Sequence, residues 1–156
     1  MTTVAYGGVQ DVLAQVGDAL RGRTVIDCVN GIRHPGVTLA TGNGPSVARQ
    51  VADATGAHVV KAFNLCPDDV WRMTPPHFDG RPLTVPICGH DPGALATART
   101  LITDLGCAPA DAGGLDRSGL LEATAAFVIG LHISGVDPRS ALPRADAFSA
   151  GETVEI

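Results

Sequence analysis

The residue types able to do chemistry are spread thinly along this chain. Four cysteines, Cys28, Cys66, Cys88 and Cys107, show no C-x-x-C spacing. Metal sites usually bring ligands in close pairs, so the pattern gives zinc no support and no metal site is expected. Cys28 and Cys88 stand at the ends of apolar runs and read as small buried hydrophobes. The histidines His34, His58, His77, His90 and His132 do not cluster. His90 adjoins Asp91, but that aspartate precedes Pro92 and reads as a helix cap. Asp68 and Asp69 open a short helical stretch, where paired carboxylates match the helix dipole. No serine sits in a nucleophile elbow. Hydrolytic chemistry has no support.

Two further features invite a functional reading. Gly42-Asn43-Gly44-Pro45-Ser46 opens a helix, and glycines there would let a phosphate approach the backbone amides. A dinucleotide fingerprint, however, needs G-x-G-x-x-G directly after the first strand. Here the third glycine position is Val47, and Pro45 removes an amide donor. An ordinary loop and cap is the better reading. The second feature is Lys61, the one lysine beside ten arginines. It lies in an apolar strand, so its ammonium either snorkels to the strand's carboxyl end or pairs with a carboxylate such as Asp27.

The elements that must position these groups alternate between strand and helix. Residues 2–6 read as a strand, Gly7-Gly8 as a turn and Val9–Leu20 as a helix. Strands are expected over 24–29, 58–64, 83–88 and 107–111, with Pro86 pointing to a sheet edge or a weakened ladder. Helices are expected over 46–55, 91–105 and 116–132, separated by a Gly/Pro-punctuated loop from Asn30 to Gly44, with some extended structure around Val37-Thr38-Leu39, and a short helix and loop over 67–82. From Ser134 onward the composition predicts a loosely ordered tail, leaving residues 1–132 as the domain. Such alternation predicts an α/β sheet of mostly parallel strands covered by helices. Its ligands would sit at the carboxyl ends of strands. The chain has 156 residues, a net charge of −5 and a mean hydropathy of +0.19. That balance suits one acidic globular domain and offers no footprint for nucleic acid or anionic lipid. With no leader or membrane span read from the sequence, a cytoplasmic location with reduced thiols is expected.

Several short motifs agree in order with one family. The strand Val59-Val60-Lys61-Ala62-Phe63-Asn64 is followed by Cys88-Gly89-His90-Asp91, then by Asp111-Ala112-Gly113-Gly114-Leu115 and Leu120-Leu121-Glu122. This resembles the coenzyme F420-dependent NADP oxidoreductases, and through them the nucleotide-binding domain of the STEAP metalloreductases. The resemblance covers about residues 2–132. It implies a Rossmann-like fold, specifically the C-terminal portion of a doubly wound, mostly parallel sheet. In that alignment Val4–Leu13 resembles the family's fourth strand and next helix, and residues 24–27 its fifth strand. The family's N-terminal βαβ half, with the pyrophosphate loop, has no counterpart in the sequence, so a truncated relative is the expectation.

The resemblance also implies a site. Tyr6, Gly7 and Gly8 match the loop after the family's fourth strand, Asn30 the loop after the fifth, and Asn64, Leu65, Cys66 and Pro67 the loop after the sixth. These are the expected cofactor-binding positions, with NADP and coenzyme F420 as implied cofactors and no side chain assigned to catalysis. The implied reaction moves a hydride between NADP(H) and F420 or a related acceptor. Two other readings stay open: a non-catalytic half-Rossmann binding module that pairs with another chain, and a different reductase of similar architecture, such as one acting on imines. A homo-oligomer is expected, joined through the strand at residues 2–6 or through the apolar final helix.

Overall fold

Hydrophobic residues on both faces of the strand around Val59 and Val60 place it in the middle of the molecule, and the remaining elements are arranged around it. The computed structural model describes residues 6–141. In chain order its elements are α1 (Tyr6–Val16), β1 (Thr24–Asp27), β2 (Ile32–Arg33), β3 (Thr38–Leu39), α2 (Val47–Thr55), β4 (His58–Lys61) and α3 (Asp68–Trp71). Then come β5 (His77–Phe78), β6 (Arg81–Pro82), β7 (Thr84–Gly89), α4 (Pro92–Asp104), β8 (Ala108–Asp111) and α5 (Ser118–Ile133). Four strands form the main sheet in the order β1-β4-β7-β8. β1 and β4 run parallel, from Thr24 opposite His58 to Asp27 opposite Lys61. β7 and β8 run parallel as well, from Thr84 opposite Ala108 to Ile87 opposite Asp111. An antiparallel contact of two residue pairs, Val60–Gly89 and Lys61–Cys88, joins the halves. The result is a mostly parallel, Rossmann-like α/β sheet.

Alternation along β4 sends side chains into two cores. Val60 and Ala62 pack with Val85 and Ile87 of β7 and with Ala94, Ala98 and Ile102 of α4. Val59 packs on the opposite face with Val47, Ala48 and Val51 of α2, Val9 of α1 and Leu115. Burying a valine or isoleucine in this way contributes about 1.5–3 kcal/mol. Both covering helices start and stop on local signals. The Ser46 side chain accepts the Arg49 N–H at 3.2 Å to open α2, and Gly56, at φ 66°, closes it in the left-handed conformation that glycine adopts at little cost. Asp91 accepts the Ala94 N–H at 2.7 Å to open α4, with Pro92 in the first turn. Gly89 lets α4 approach the sheet: a Cβ there would stand 3.1 Å from Leu95 Cδ2 and 3.2 Å from Val60 Cγ2.

Several sequence expectations need correction. The strand at residues 2–6 lies outside the described residues, except that Tyr6 opens α1. Gly7 and Gly8 therefore form the first turn of that helix instead of a loop, and a 3-10 turn, Gly17–Leu20, completes the segment. Pro86 lies on an interior strand, not an edge. The Ile87 carbonyl accepts from Ala112 on the β8 side, so strand alternation turns the Pro86 nitrogen toward β4. There β4 pairs only with Cys88 and Gly89, and the weakened ladder is the part of the expectation that holds. The extended stretch expected around Val37-Thr38-Leu39 is present as β3, which pairs with β2 in a small hairpin, whereas the 67–82 region adds the unexpected hairpin β5–β6. The final helix begins with a 3-10 turn, Leu115–Arg117. Of the expected tail, residues 134–141 end in a 3-10 turn at Pro138–Ala141, and the rest lies outside the described residues.

Candidate functional site

Parallel pairing brings the ends of β1 and β4 side by side, so the segments that follow them diverge from one point. β4 ends abruptly. Two residues beyond it, Phe63 takes a φ of 60°, a left-handed conformation that is costly for a side chain of this size. This turn carries the chain out of the sheet and is why the strand stops at Lys61 and not at Asn64. The Phe63 ring meets Trp71 of α3 edge-on, with centroids 5.2 Å apart and an interplanar angle of 86°. Asn64, immediately after the turn, is directed back into the protein and is only 5% exposed.

A cleft of about 520 Å³ opens at this point. Asn30, Phe63, Asn64, Leu65, Cys66 and Pro67 form its strand-end wall, and Ala125, Val128 and Ile129 of α5 face them. His132 and Asp68 also line it, and no lysine or arginine does among the described residues. Asp68 is held by Arg72 at 2.9 Å. A second cavity of about 480 Å³ lies on the α4 side, between Ile26, Leu101 and Leu105, and shares Cys28, Phe63 and Trp71 with the cleft. The aromatic pair thus partitions the two spaces.

Asn30 and Asn64 are locked together. Asn64 Nδ2 donates to Asn30 Oδ1 at 2.8 Å and to the Leu121 carbonyl at 3.0 Å, while Asn30 Nδ2 donates to the Asn64 carbonyl at 2.7 Å. A carbonyl can only accept, so the Asn64 amide cannot be flipped without losing the Leu121 bond. Asn64 Oδ1 is left buried with no hydrogen-bond partner among the described residues.

Behind this pair lies a charged cluster. Lys61 is fully buried, with Nζ 2.9 Å from Asp27 Oδ2 and 2.8 Å from Glu122 Oε1, and it also donates to the Val29 carbonyl. The expected partner Asp27 is therefore present, and the alternative of snorkelling does not occur. Glu122, also fully buried, is a second partner to which the Leu120-Leu121-Glu122 motif alone does not point. Only the tertiary packing of α5 on α2 brings it to Lys61. Its carboxylate also accepts the Val47 N–H at 3.1 Å and the Ala48 N–H at 3.4 Å, at the start of α2. With the Arg49 N–H taken by Ser46, these bonds occupy the α2 N-terminus from within. Ser46 Oγ in turn lies 2.6 Å from Ser118 Oγ, which donates to the Leu115 carbonyl. Gly42–Ser46 is thus a loop and cap, and a phosphate would have to displace Glu122 to reach these amides.

The cleft thiols are not activated. Burial pushes the Cys28 thiol up, the Asp27 charge adds to this and Lys61 opposes it; burial and then Cys107 raise Cys66. Cys28 is half-buried, not fully buried as its place in the sequence implied, whereas Cys88 is fully buried. All four cysteines are free thiols. Among the described residues no group of three or more His, Cys, Asp or Glu is placed to hold a metal ion. No described helix is long and apolar enough to cross a membrane.

Of the eight positions implied by the resemblance, five line this one cleft: Asn30, Asn64, Leu65, Cys66 and Pro67. Tyr6, Gly7 and Gly8 stand instead in the first turn of α1, and among the described lining residues none comes from that helix. The residues that sequence reasoning missed, Phe63, Val128 and Ile129, are ordinary hydrophobes whose role depends on where α5 packs. Only the repeated apolar character of that helix hinted at them.

No family model matches the chain, and no curated protein matches it. Solved structures do. A protein of Arthrobacter sp. FB24 described as a "putative f420 dependent nadp-reductase" superposes with a TM-score of 0.74 at 24% identity, over 85% of this chain and 63% of that one. A hypothetical protein of Sinorhizobium meliloti superposes with a TM-score of 0.65 at 32% identity, over 74% of this chain and 56% of that one. The chain therefore spans less than two thirds of either neighbour. These likenesses show the Rossmann-like fold.

Proposed function

We propose that the cleft at the carboxyl ends of β1 and β4 holds the redox-active ring end of a cofactor, in an oxidoreductase related to the F420-dependent NADP reductases. One observation carries this reading: two strand-end segments implied by the resemblance, Asn30 and the run Asn64-Leu65-Cys66-Pro67 that begins 34 positions later, converge on a single cleft. Its chemistry suits an uncharged planar ring. Apolar side chains of α5 form one wall, Phe63 lies against the opposite one, and among the described residues no lysine or arginine lines the space. The buried, unpartnered Asn64 Oδ1 is an acceptor suited to a ring N–H. Reaching it requires a small displacement of the strand-end loop, because the atom is closed to solvent.

The residues present fit the ring end of such a group and not its pyrophosphate, since the α2 N-terminus is filled by Glu122 and Ser46. When bound, the nicotinamide and deazaflavin rings supply the hydride donor and acceptor. The chain's part is positional. Asn30 and Asn64 orient the ring edge, the apolar wall of Val128 and Ile129 excludes water, and Phe63 limits tilt. No side chain needs to carry a proton. A second reading, a binding module without turnover, is favoured by the filled α2 N-terminus. The experiment is a hydride-transfer assay with F420 at high NADPH concentration, following the loss of deazaflavin absorbance. Transfer that Val128→Trp abolishes supports the enzyme. Saturable F420 binding without transfer supports the binding module, and neither binding nor transfer refutes the cleft assignment.

A further inference from the structure

The buried Lys61 cluster stands directly behind the asparagine pair, and the two are linked at both ends. On the β1 side, Lys61 Nζ holds Asp27 Oδ2 at 2.9 Å and the Val29 carbonyl, the residue just before Asn30. Asp27 Oδ1 accepts the Val29 N–H at 3.1 Å, so both backbone groups of Val29 are fixed by the cluster. On the α5 side, Lys61 holds Glu122 Oε1 at 2.8 Å, and Glu122 directly follows Leu121, whose carbonyl accepts the Asn64 amide. Lys61 itself lies three residues before Asn64 on the same chain. One ammonium thus ties together the three segments that meet at the Asn30–Asn64 pair.

We propose that Lys61 and Glu122 are positioning residues for the cleft: their ion pair sets where the Asn64 carboxamide points. A buried ion pair is a poor device for stability alone, since apolar residues of similar volume often serve as well or better. What it provides is direction, because each donor and acceptor accepts only a narrow geometry. Every carboxylate oxygen of Glu122 is used, Oε2 by Val47 and Oε1 by Lys61 and Ala48, so α5 has one rotation and depth against α2. The Leu121 carbonyl is fixed with it.

The part of this proposal that concerns ligand affinity rests on the cleft reading above; the part that concerns Asn64 does not. The test therefore reads both. Side-chain amide signals of Asn64 are followed by nitrogen–proton NMR in the parent, in Glu122→Gln and in the apolar exchange Lys61→Met with Glu122→Leu. The exchange also carries Asp27→Asn, which keeps an acceptor for the Val29 N–H, so no lone buried charge remains in the cluster and a folded comparison is available if Glu122→Gln is too unstable. F420 affinity is measured alongside by fluorescence titration. The expected result is that the Asn64 side-chain protons shift and exchange faster with solvent in the apolar exchange, and that F420 affinity falls at least tenfold while the melting temperature stays near that of the parent. Unchanged Asn64 signals in a folded variant overturn the positioning role, whatever the ligand does. Shifted Asn64 signals in a parent that does not bind F420 uphold the positioning role and reject the cofactor reading instead.

Discussion

Asn64 gives both of its side-chain protons away, one to Asn30 Oδ1 at 2.8 Å and one to the Leu121 carbonyl at 3.0 Å, and keeps a bare acceptor oxygen. A buried carbonyl oxygen without a donor costs about 1–3 kcal/mol. The arrangement is maintained because Asn30 and Leu121, on two other segments, hold the amide in place, and among the described residues no other buried side-chain polar atom lacks a partner.

Lys61→Met should destabilise the fold by about 3–5 kcal/mol, because it leaves the Asp27 and Glu122 carboxylates buried without their shared counter-charge. Urea unfolding measures this directly. A loss below about 1 kcal/mol would mean that the cluster is open to water and that Lys61 contributes through its methylenes alone.

At position 63 the usual order of glycine and alanine should invert. Both substitutions remove the ring that packs against Trp71, but only glycine also relieves the left-handed backbone. Phe63→Gly should therefore be more stable than Phe63→Ala by about 1 kcal/mol. Paired thermal melts decide it, and a more stable alanine variant would show that the backbone relaxes out of the φ of 60°.

The contrast between these two residues shows what the sequence makes legible. The pairing of Lys61 with Asp27 follows from strand register, since residues opposite one another on parallel strands share a face. The helices over 46–55 and 91–105 were readable from Ser46, Gly56, Asp91 and Pro92, whose side chains or missing groups act locally. Glu122 was hidden because its partners lie 61 and 75 residues away. The turn at Phe63 was hidden because a bulky residue there runs against local preference, and only tertiary packing sustains it. Asn30 and Asn64 enter as separate positions implied by the resemblance, and their pairing is visible only in the structure. Nothing local indicates that Asn30 and Asn64, 34 positions apart, share hydrogen bonds.

The thiols give a pH signature. Burial raises the Cys88 and Cys107 thiols above their ordinary value, so each stays protonated in the folded state where the unfolded thiol has begun to ionise. Their contribution to stability is complete below the ordinary thiol value and is lost as pH rises toward the folded one. Alkylation by iodoacetamide at pH 8 should accordingly be slow at Cys88 in the native protein and fast in urea. Equal rates in both states would show that the β7 end opens readily.

NADPH alone should bind weakly, with no low-micromolar dissociation constant, because Glu122 and Ser46 already hold the amides of Val47, Ala48 and Arg49. Calorimetric titration checks this. Tight binding that rises further in Glu122→Gln would identify the Gly42–Ser46 loop as a phosphate site after all.

The central claim is that the cleft between the β1 and β4 ends and α5 receives the ring of the cofactor. Its most direct measurement is a fluorescence titration of F420 into the parent, Val128→Trp and Asn64→Leu proteins. The account predicts saturable binding to the parent, loss of binding when Val128→Trp fills the cleft, and at least tenfold weaker binding in Asn64→Leu, with all three proteins folded. Parent binding that neither substitution disturbs would contradict it and place the ring elsewhere on the molecule.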